Sequence, residues 1–302
     1  MWSPPARYAR HDKPSVIIFL PHASAGVSIR RILYRIAGPQ YRIRDMDLHQ
    51  WTAGRHDEAQ RILHRIATGQ YESAAPESSR LKFAEPDDAW HIAPTGHLYI
   101  SSNPERMRQA VTDSGLTPET MRYLVCLRDP RDALVSLYFL IQDKTHLAIV
   151  KDTALHDHYH AIKEQTRQMT LDEYVAANVH SLKVPLEAIK AFARSIPQRQ
   201  VQHASYAALC HAFPRYLACL VDFLDLTLDA QTIREVLRTE DIRNKDGLHP
   251  NTLALCPNAS PSPGRHKRDL QPETIHRLTR EFREILTWIA DNDLSEFREL
   301  YQ

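Results

Sequence analysis

Glycine is scarce in this chain, which has 8 glycines in 302 residues. The pattern Gly-x-Gly-x-x-Gly, which dinucleotide-binding folds use for a tight turn against a pyrophosphate, does not occur. A nicotinamide-dependent dehydrogenase is therefore disfavoured. The pattern Gly-x-x-x-x-Gly-Lys-Ser/Thr is also absent, and this disfavours a Walker-type nucleoside triphosphatase.

Cysteines and long apolar runs are few as well. Four cysteines, at positions 126, 210, 219 and 256, lie far apart without Cys-x-x-Cys spacing, which is typical of reduced thiols rather than of a disulfide framework or a zinc site. No apolar run approaches the ~20 residues that cross a bilayer. The first fifteen residues lack the apolar core of a secretory signal. The sequence predicts a cytoplasmic protein without a membrane span.

Charge of one sign is not in excess, because 38 Lys and Arg residues balance 37 Asp and Glu residues to a net charge of +1. Electrostatics therefore gives no support for broad binding to nucleic acid or to a membrane surface. An anion site in this chain has to be local. The hydrophobic fraction of 43% allows a substantial core, built as one large domain or two small ones.

Apolar runs of strand length alternate with helical patterns along the chain. "SVIIFL" (15–20) and "RYLVCL" (122–127) are typical of buried strands, and each precedes a loop and a helix. Residues 199–206 also resemble a strand. This alternation predicts an α/β fold with a central, mainly parallel sheet flanked by helices. Amphipathic helices are further predicted over 169–178, 184–196, 213–226, 229–238 and 271–289.

The first strand–loop–helix junction contains "HASAGVS" (22–28). In a parallel sheet, ligands bind beyond the carboxyl ends of the strands, where a helix N-terminus presents N–H groups and a positive dipole end. Small residues let the backbone wrap a phosphate closely, and Ser24 and Ser28 can add hydroxyl donors. The alternative is a plain turn with a helix cap.

The second junction contains "RDPRD" (128–132). Arg128 directly follows the strand, and Ser136 lies eight residues on, about two helical turns away. The guanidinium and the hydroxyl can therefore converge on one phosphate. A turn with salt-bridged surface charges is the alternative interpretation.

The order strand, Arg-Asp-Pro-Arg-Asp, x-x-x-Ser-x-Tyr resembles the 3′-phosphate-binding element of sulfotransferases that use 3′-phosphoadenosine-5′-phosphosulfate (PAPS). Three further segments resemble that family in the expected order: residues 17–33 its 5′-phosphosulfate loop, residues 202–226 its strand–Tyr–helix, and residues 262–286 its late basic loop and final helix. The resemblance spans nearly the whole chain. It implies one sulfotransferase-like domain over residues 1–302, with a P-loop-like architecture.

The resemblance also implies roles for individual residues. Arg128 and Ser136 would bind the 3′-phosphate, and Tyr206 would lie near the adenine. The late loop would close over the cofactor, and the first loop would hold the 5′-phosphate. Tyr206 could instead be a core aromatic, and the late loop a solvated basic segment. The late-loop residues are Arg265, His266 and Lys267, and the first-loop residues are Ser24, Ala25, Gly26, Val27 and Ser28.

The first loop departs from the family pattern because it contains no lysine. In the resembling enzymes a lysine there contacts the sulfuryl group and the leaving phosphate oxygen. Here His22 or Ala23 stands at that position, depending on the register, and His22 is the nearby side chain that can carry positive charge or donate a proton. The departure affects the expected turnover more than the expected binding.

Sulfuryl transfer to an alcohol needs a base, which in the family is usually a histidine after an earlier strand. "PTGHLYISS" (94–102) resembles that segment and makes His97 the predicted base, with His22, His91 and Glu85 in reserve. A hydrogen-bonded structural role for His97 is the alternative.

The histidine pair in "HDHYH" (156–160) has the spacing of one helical face, but no separate ligand set accompanies it, and no metal is expected. Residues 141–170 are expected to border the acceptor site.

The resemblance therefore predicts a PAPS-dependent sulfotransferase acting on a hydroxyl or amine of a small-molecule or carbohydrate acceptor. A sulfotransferase-like nucleotide-binding protein without chemistry is the alternative, and a phosphoryl transferase is a third candidate.

Overall fold

A five-stranded parallel sheet forms the centre of the molecule. The computed structural model describes residues 13–21, 23–46, 91–142, 161–243 and 262–302. The strands lie in the order β2-β3-β1-β4-β5, and every neighbouring pair is parallel. The predicted α/β class with a parallel sheet is confirmed. The strands are β1 (Val16–Phe19), β2 (Arg42–Asp45), β3 (His97–Ser101), β4 (Arg122–Leu127) and β5 (Val201–Ser205).

Helices connect the strands and follow the last of them. Residues 161–167 are also helical. Among the helices of the described ranges, none combines the length and apolar content that crossing a bilayer requires. The named helices are α1 (Gly26–Ala37), α2 (Pro104–Asp113), α3 (Pro130–Gln142), α4 (Leu171–Ala177), α5 (Val179–Ser195), α6 (Tyr206–His211), α7 (Phe213–Phe223), α8 (Ala230–Thr239), α9 (Arg265–Asp269), α10 (Pro272–Glu281) and α11 (Arg283–Asn292).

Both faces of the sheet are buried, which is why β1 is apolar at every position. Side chains alternate between the two faces of a strand. Ile17 and Phe19 enter a core that includes residues of α5 and α11, whereas Val16 and Ile18 enter a core that includes residues of α1 and α7. Helices therefore cover the sheet on both sides, as parallel sheets require.

Two predicted helices differ from the structure. The helix expected to begin at Val184 begins at Val179, so that Pro185 lies inside α5. An internal proline costs about 3 kcal/mol of helix stability, but the first turn buries Val179 and Leu182 in the core, and this burial offsets the cost. The helix expected over 271–289 is two helices, α10 and α11, which meet at the buried Phe282.

Strand β2 and helix α2 were not predicted from the sequence. Strand β2 reads Arg-Ile-Arg-Asp and stands at the edge of the sheet. Ile43 and Asp45 are buried, whereas Arg42 is exposed. A four-residue strand of this polarity has no apolar run to mark it, because its place is fixed by pairing with β3.

A half-buried histidine on β5, His203, predicts acid sensitivity of the fold. Burial lowers the pKa of His203 to about 4, and its ring packs edge-on against Trp288. In the unfolded chain His203 takes up a proton near pH 6.5, whereas in the folded chain it does not. The contribution of His203 to the free energy of unfolding is therefore complete above pH 6.5 and is lost as the pH drops towards 4. Each pH unit in this window costs up to about 1.4 kcal/mol.

We expect urea unfolding of His203→Gln to show a flatter dependence on pH between 6.5 and 4 than the parent chain shows. The exposed His180 offers the matched control, since His180→Gln removes a histidine that is not buried. Parallel pH profiles for the parent chain and His203→Gln would contradict the prediction.

Candidate functional site

Two loops leave the same edge of the sheet side by side. Strands β1 and β4 are neighbours and pair in parallel, with Phe19 opposite Val125. The loop after β1 and the loop after β4 therefore both begin at the carboxyl edge. This edge is where parallel α/β sheets bind ligands.

The first loop, described at residues 20–21 and 23–25, leads into α1. Ala23 and Ala25 both adopt left-handed backbone with φ of 59° and 64°. This conformation is costly for alanine, and left-handed residues are a feature of the loops that form anion-binding concavities. Ser24 Oγ donates to the carbonyl of Pro21 at 2.5 Å. The N-cap residue of α1 is Ala25, which provides no side-chain cap, so the first turn of α1 keeps N–H groups for an anion.

Arg128 connects this loop to two helices. Its Nη1 donates to the Ala23 carbonyl at 2.5 Å, and its Nη2 donates to Ser136 Oγ on α3 at 2.9 Å. The guanidinium also lies over the ring of Tyr206 on α6, 4.2 Å from the ring centre. Its Nε is buried and has no hydrogen-bond partner among the residues that the structure describes. The structure thus brings Arg128, Ser136, Tyr206 and the first loop together.

The next charges of the motif form an internal ion pair. Arg131 is fully buried, and its Nη2 donates to Asp129 Oδ2 at 2.7 Å. The same guanidinium donates to Thr279 Oγ1 on α10 at 2.8 Å and to the Leu300 carbonyl at 3.3 Å. This pair is not a set of surface charges. It anchors the second loop to the C-terminal part of the chain.

Asp132 fastens the late loop to the start of α3. Its Oδ2 accepts from the N–H of Gly264 at 2.6 Å, and its Oδ1 accepts from the N–H of His266 at 2.9 Å. His266 Nδ1 lies 2.6 Å from the same Oδ1. Burial alone would raise the pKa of the Asp132 carboxyl, but the hydrogen bonds and charge of His266 outweigh burial and lower it.

The three predicted late-loop residues have different environments. His266 is fully buried with its ring against Asp132. Arg265 is also buried; its Nε donates to Asp269 Oδ2 at 2.6 Å, and its guanidinium lies 4.3 Å from the centre of the Phe139 ring. Lys267 is exposed. The side chain of His266 therefore makes an internal contact, with Asp132. Of the three residues, Lys267 is the one whose side chain is exposed.

Asp129, Asp132 and His266 form a compact group, each with a ligand atom within 4.8 Å of the others. The carboxylate oxygens already accept hydrogen bonds from the Arg131 guanidinium and from main-chain N–H groups. These donors make the group an internal network that holds two loops together.

His97 is not at this edge, which corrects its prediction as the base. It is the first residue of β3, pairs with Arg42, and therefore stands at the amino edge of the sheet. The carboxyl end of β3 lies roughly 13 Å away. The ring donates from Nδ1 to the Thr95 carbonyl at 2.8 Å and stacks on Tyr99. The geometry therefore supports the alternative interpretation, a hydrogen-bonded structural role for His97.

Several predicted positions lie outside the described residues. These are His22, Glu85, the histidines of residues 156–160 and most of the segment expected to border the acceptor site. His91 is described and is exposed. Of the predicted first-loop residues, Ser24 and Ala25 precede α1, and Gly26, the backbone of Val27 and Ser28 lie in its first turn.

Arg30 is a charged residue of this edge that the sequence reasoning did not select. It lies on α1, one turn after Gly26, and its Nε donates to Asp45 at the end of β2. The available signal was its spacing: a helical side chain leans towards the helix N-terminus, so an arginine four residues after the loop can reach back to it.

Comparison with solved structures identifies the fold. Mouse sulfotransferase SULT7A1 complexed with PAP superimposes with a TM-score of 0.53 at 12% identity, covering 97% of this chain and 89% of that one. Retinol dehydratase in complex with androsterone and inactive cofactor PAP gives a TM-score of 0.50 at 14% identity, covering 93% and 82%. No protein-family model matches the sequence, and no curated protein does. The chain has the sulfotransferase fold.

Proposed function

We propose that the chain binds PAPS and transfers its sulfuryl group to a hydroxyl or amine of a small-molecule or carbohydrate acceptor. The supporting observation is the position of Arg128, which contacts the first loop, Ser136 and Tyr206 at once. A nucleotide with a phosphate at each end fits such a pair of adjacent loops. The similar structures that hold PAP, the product of PAPS, support the same ligand.

Each part of the site suits one part of the nucleotide. Arg128 and Ser136 lie 2.9 Å apart and can bind the same 3′-phosphate through charge-assisted hydrogen bonds. The N–H groups of residues 25–28 suit the 5′-phosphate, whereas the N–H of Ser24 donates to the Pro21 carbonyl. Tyr206 is proposed to lie near the adenine, and the adenine ring would then stack beside the Arg128 guanidinium. Burial raises the pKa of the Tyr206 hydroxyl, so the ring stays neutral.

The late loop is proposed to cover the nucleotide, with divided roles. The exposed side chain of Lys267 is available to the phosphates, whereas His266 positions the loop through Asp132. Arg265 is braced by Asp269 and Phe139 and supplies positive charge from a buried position. A single domain over residues 1–302 is also proposed, since one core includes residues from Ile17 to Tyr301.

The proposed reaction is a direct in-line transfer. The acceptor oxygen or nitrogen attacks sulfur, the bond from sulfur to the 5′-phosphate oxygen breaks, and that oxygen keeps the electron pair. The acceptor proton passes to a base, for which His22 and Glu85 stay candidates. The reaction as proposed uses no metal ion, because helix N–H groups and guanidinium groups stabilise the leaving phosphate.

Two observations favour a second candidate function, a nucleotide-binding protein without turnover. The first loop has no lysine, and the predicted base His97 lies at the opposite edge of the sheet. Both functions require the nucleotide site, and they differ only in chemistry.

We expect titration with PAP to raise the melting temperature of the chain, because a ligand that binds the folded state stabilises it. Stabilisation by ATP with no response to PAP would contradict the proposal and favour a phosphoryl transferase. Radiolabelled PAPS with a panel of alcohols, phenols and amines then separates the two functions: a labelled acceptor shows sulfuryl transfer, and binding without any labelled product shows the second candidate.

A further inference from the structure

The first loop lacks a lysine, yet a guanidinium lies against it. Arg30 is on α1, and a methyl group added to Gly26 would lie 2.8 Å from Arg30 Nη1. Gly26 is the first residue of α1, where the N–H groups proposed for the 5′-phosphate begin. The Arg30 side chain therefore curls back by one helical turn and ends beside that phosphate position.

Asp45 holds Arg30 in this position. Arg30 Nε donates to Asp45 Oδ2, and Arg30 Nη2 lies 3.4 Å from Oδ1. Asp45 is the last residue of β2, at the carboxyl edge, and it is buried. The guanidinium thus uses one side, Nε and Nη2, for Asp45. Nη1 is the nitrogen that faces Gly26.

We propose that Arg30 binds the 5′-phosphate end of the nucleotide and provides the cationic contact that a loop lysine provides elsewhere, with Asp45 as its positioning residue. The proposal rests on the proposed function. A guanidinium stays protonated at any physiological pH and presents donors in a rigid fork. Because Asp45 neutralises most of the net charge, the contribution of Arg30 is a directed N–H donor to the oxygen that gains charge when the sulfur–oxygen bond breaks.

The phosphate at one end of the nucleotide provides the test. PAP carries both phosphates, whereas adenosine 3′-monophosphate lacks the one at the 5′ position. The dissociation constant of the 3′-monophosphate divided by that of PAP, called the ratio below, therefore measures the contribution of the 5′-phosphate. Arg30→Gln is expected to weaken PAP binding roughly tenfold or more while leaving binding of the 3′-monophosphate unchanged, so that the ratio falls. A purely structural role would weaken both nucleotides alike or neither.

Arg35→Gln is the matched control. Arg35 is on the same helix, about 7.5 Å further from the loop, and pairs with Glu240. We expect it to keep the parent ratio. Arg30→Lys keeps the fold if glutamine does not, since an ammonium can pair with Asp45, but it has no second nitrogen to present at Gly26. Its ratio should also fall.

The outcomes are separable. Parent ratios for both Arg30→Gln and Arg30→Lys overturn the role of Arg30 and leave the proposed function intact. A parent chain that binds neither nucleotide overturns the proposed function itself. A drop in the ratio for Arg35→Gln as large as that for Arg30→Gln overturns the assignment to Arg30, because it shows a general charge effect.

Discussion

Arg128→Ala is expected to weaken PAP binding by a hundredfold or more, the largest effect on binding in this chain. Two guanidinium nitrogens already lie at donors' distance from Ala23 and Ser136. In the proposed complex these nitrogens donate to the 3′-phosphate instead, and each hydrogen bond from a charged group contributes about 1.5–3 kcal/mol, so the loss of two corresponds to about two orders of magnitude or more in the dissociation constant. Isothermal titration calorimetry with PAP measures it directly.

The control for this variant lies at the opposite end of β4, the strand that Arg128 follows. Arg122 begins β4, at the amino edge, and its guanidinium lies 4.2 Å from the centre of the Phe223 ring. Arg122→Ala therefore removes the same charge and a similar aromatic contact at the wrong edge, and PAP affinity should stay at the parent value. Equal losses in Arg122→Ala and Arg128→Ala would show that net charge, rather than the site, determines binding.

Asp132→Ala is expected to lower the free energy of unfolding by about 3 kcal/mol or more. The substitution leaves the N–H groups of Gly264 and His266 and the His266 ring without their acceptor inside the protein. Urea denaturation followed by circular dichroism measures the change. Asp132→Asn has the same shape but turns an amide donor towards one of these donors, so it should also destabilise the fold.

Asp229→Ala provides the comparison for Asp132→Ala. Asp229 is a carboxylate at the start of α8, where its Oδ1 accepts from the N–H of Thr232 at 2.7 Å. Loss of such a helix cap costs about 1 kcal/mol. If Asp132→Ala costs no more than Asp229→Ala, the buried network between the second loop and the late loop is not a major source of stability.

The sheet was predictable from sequence because its central strands are buried on both faces. A strand that is buried on both faces needs apolar residues at successive positions, as in "RYLVCL". Strand β4 covers the same residues, 122–127. Edge strand β2 lacks this constraint, and its four residues owe their conformation to pairing with β3. The position of Pro185 inside α5 was likewise decided by tertiary burial, which local rules for helix starts do not include.

The sequence predicted a site residue correctly placed at the ligand edge where that residue follows a strand. It did not do so where the residue stands at the beginning of a strand. Arg128 comes directly after β4, so a parallel sheet places it at the ligand edge. His97 comes at the beginning of β3, and the same rule places it at the other edge. The order of histidine and apolar residues in "GHLYIS" contains this information. Asp132 as the partner of the late loop was not predictable, because 132 residues separate it from Gly264.

The five residues 128–132 combine two duties, since only Arg128 faces the proposed ligand, while Asp129, Arg131 and Asp132 tie distant segments to the sheet. A descendant that had lost all catalysis would still need most of this motif in order to fold. The presence of this motif in a sequence is therefore evidence of the fold before it is evidence of the reaction, and Arg128 is the charged member that the proposed nucleotide site also requires.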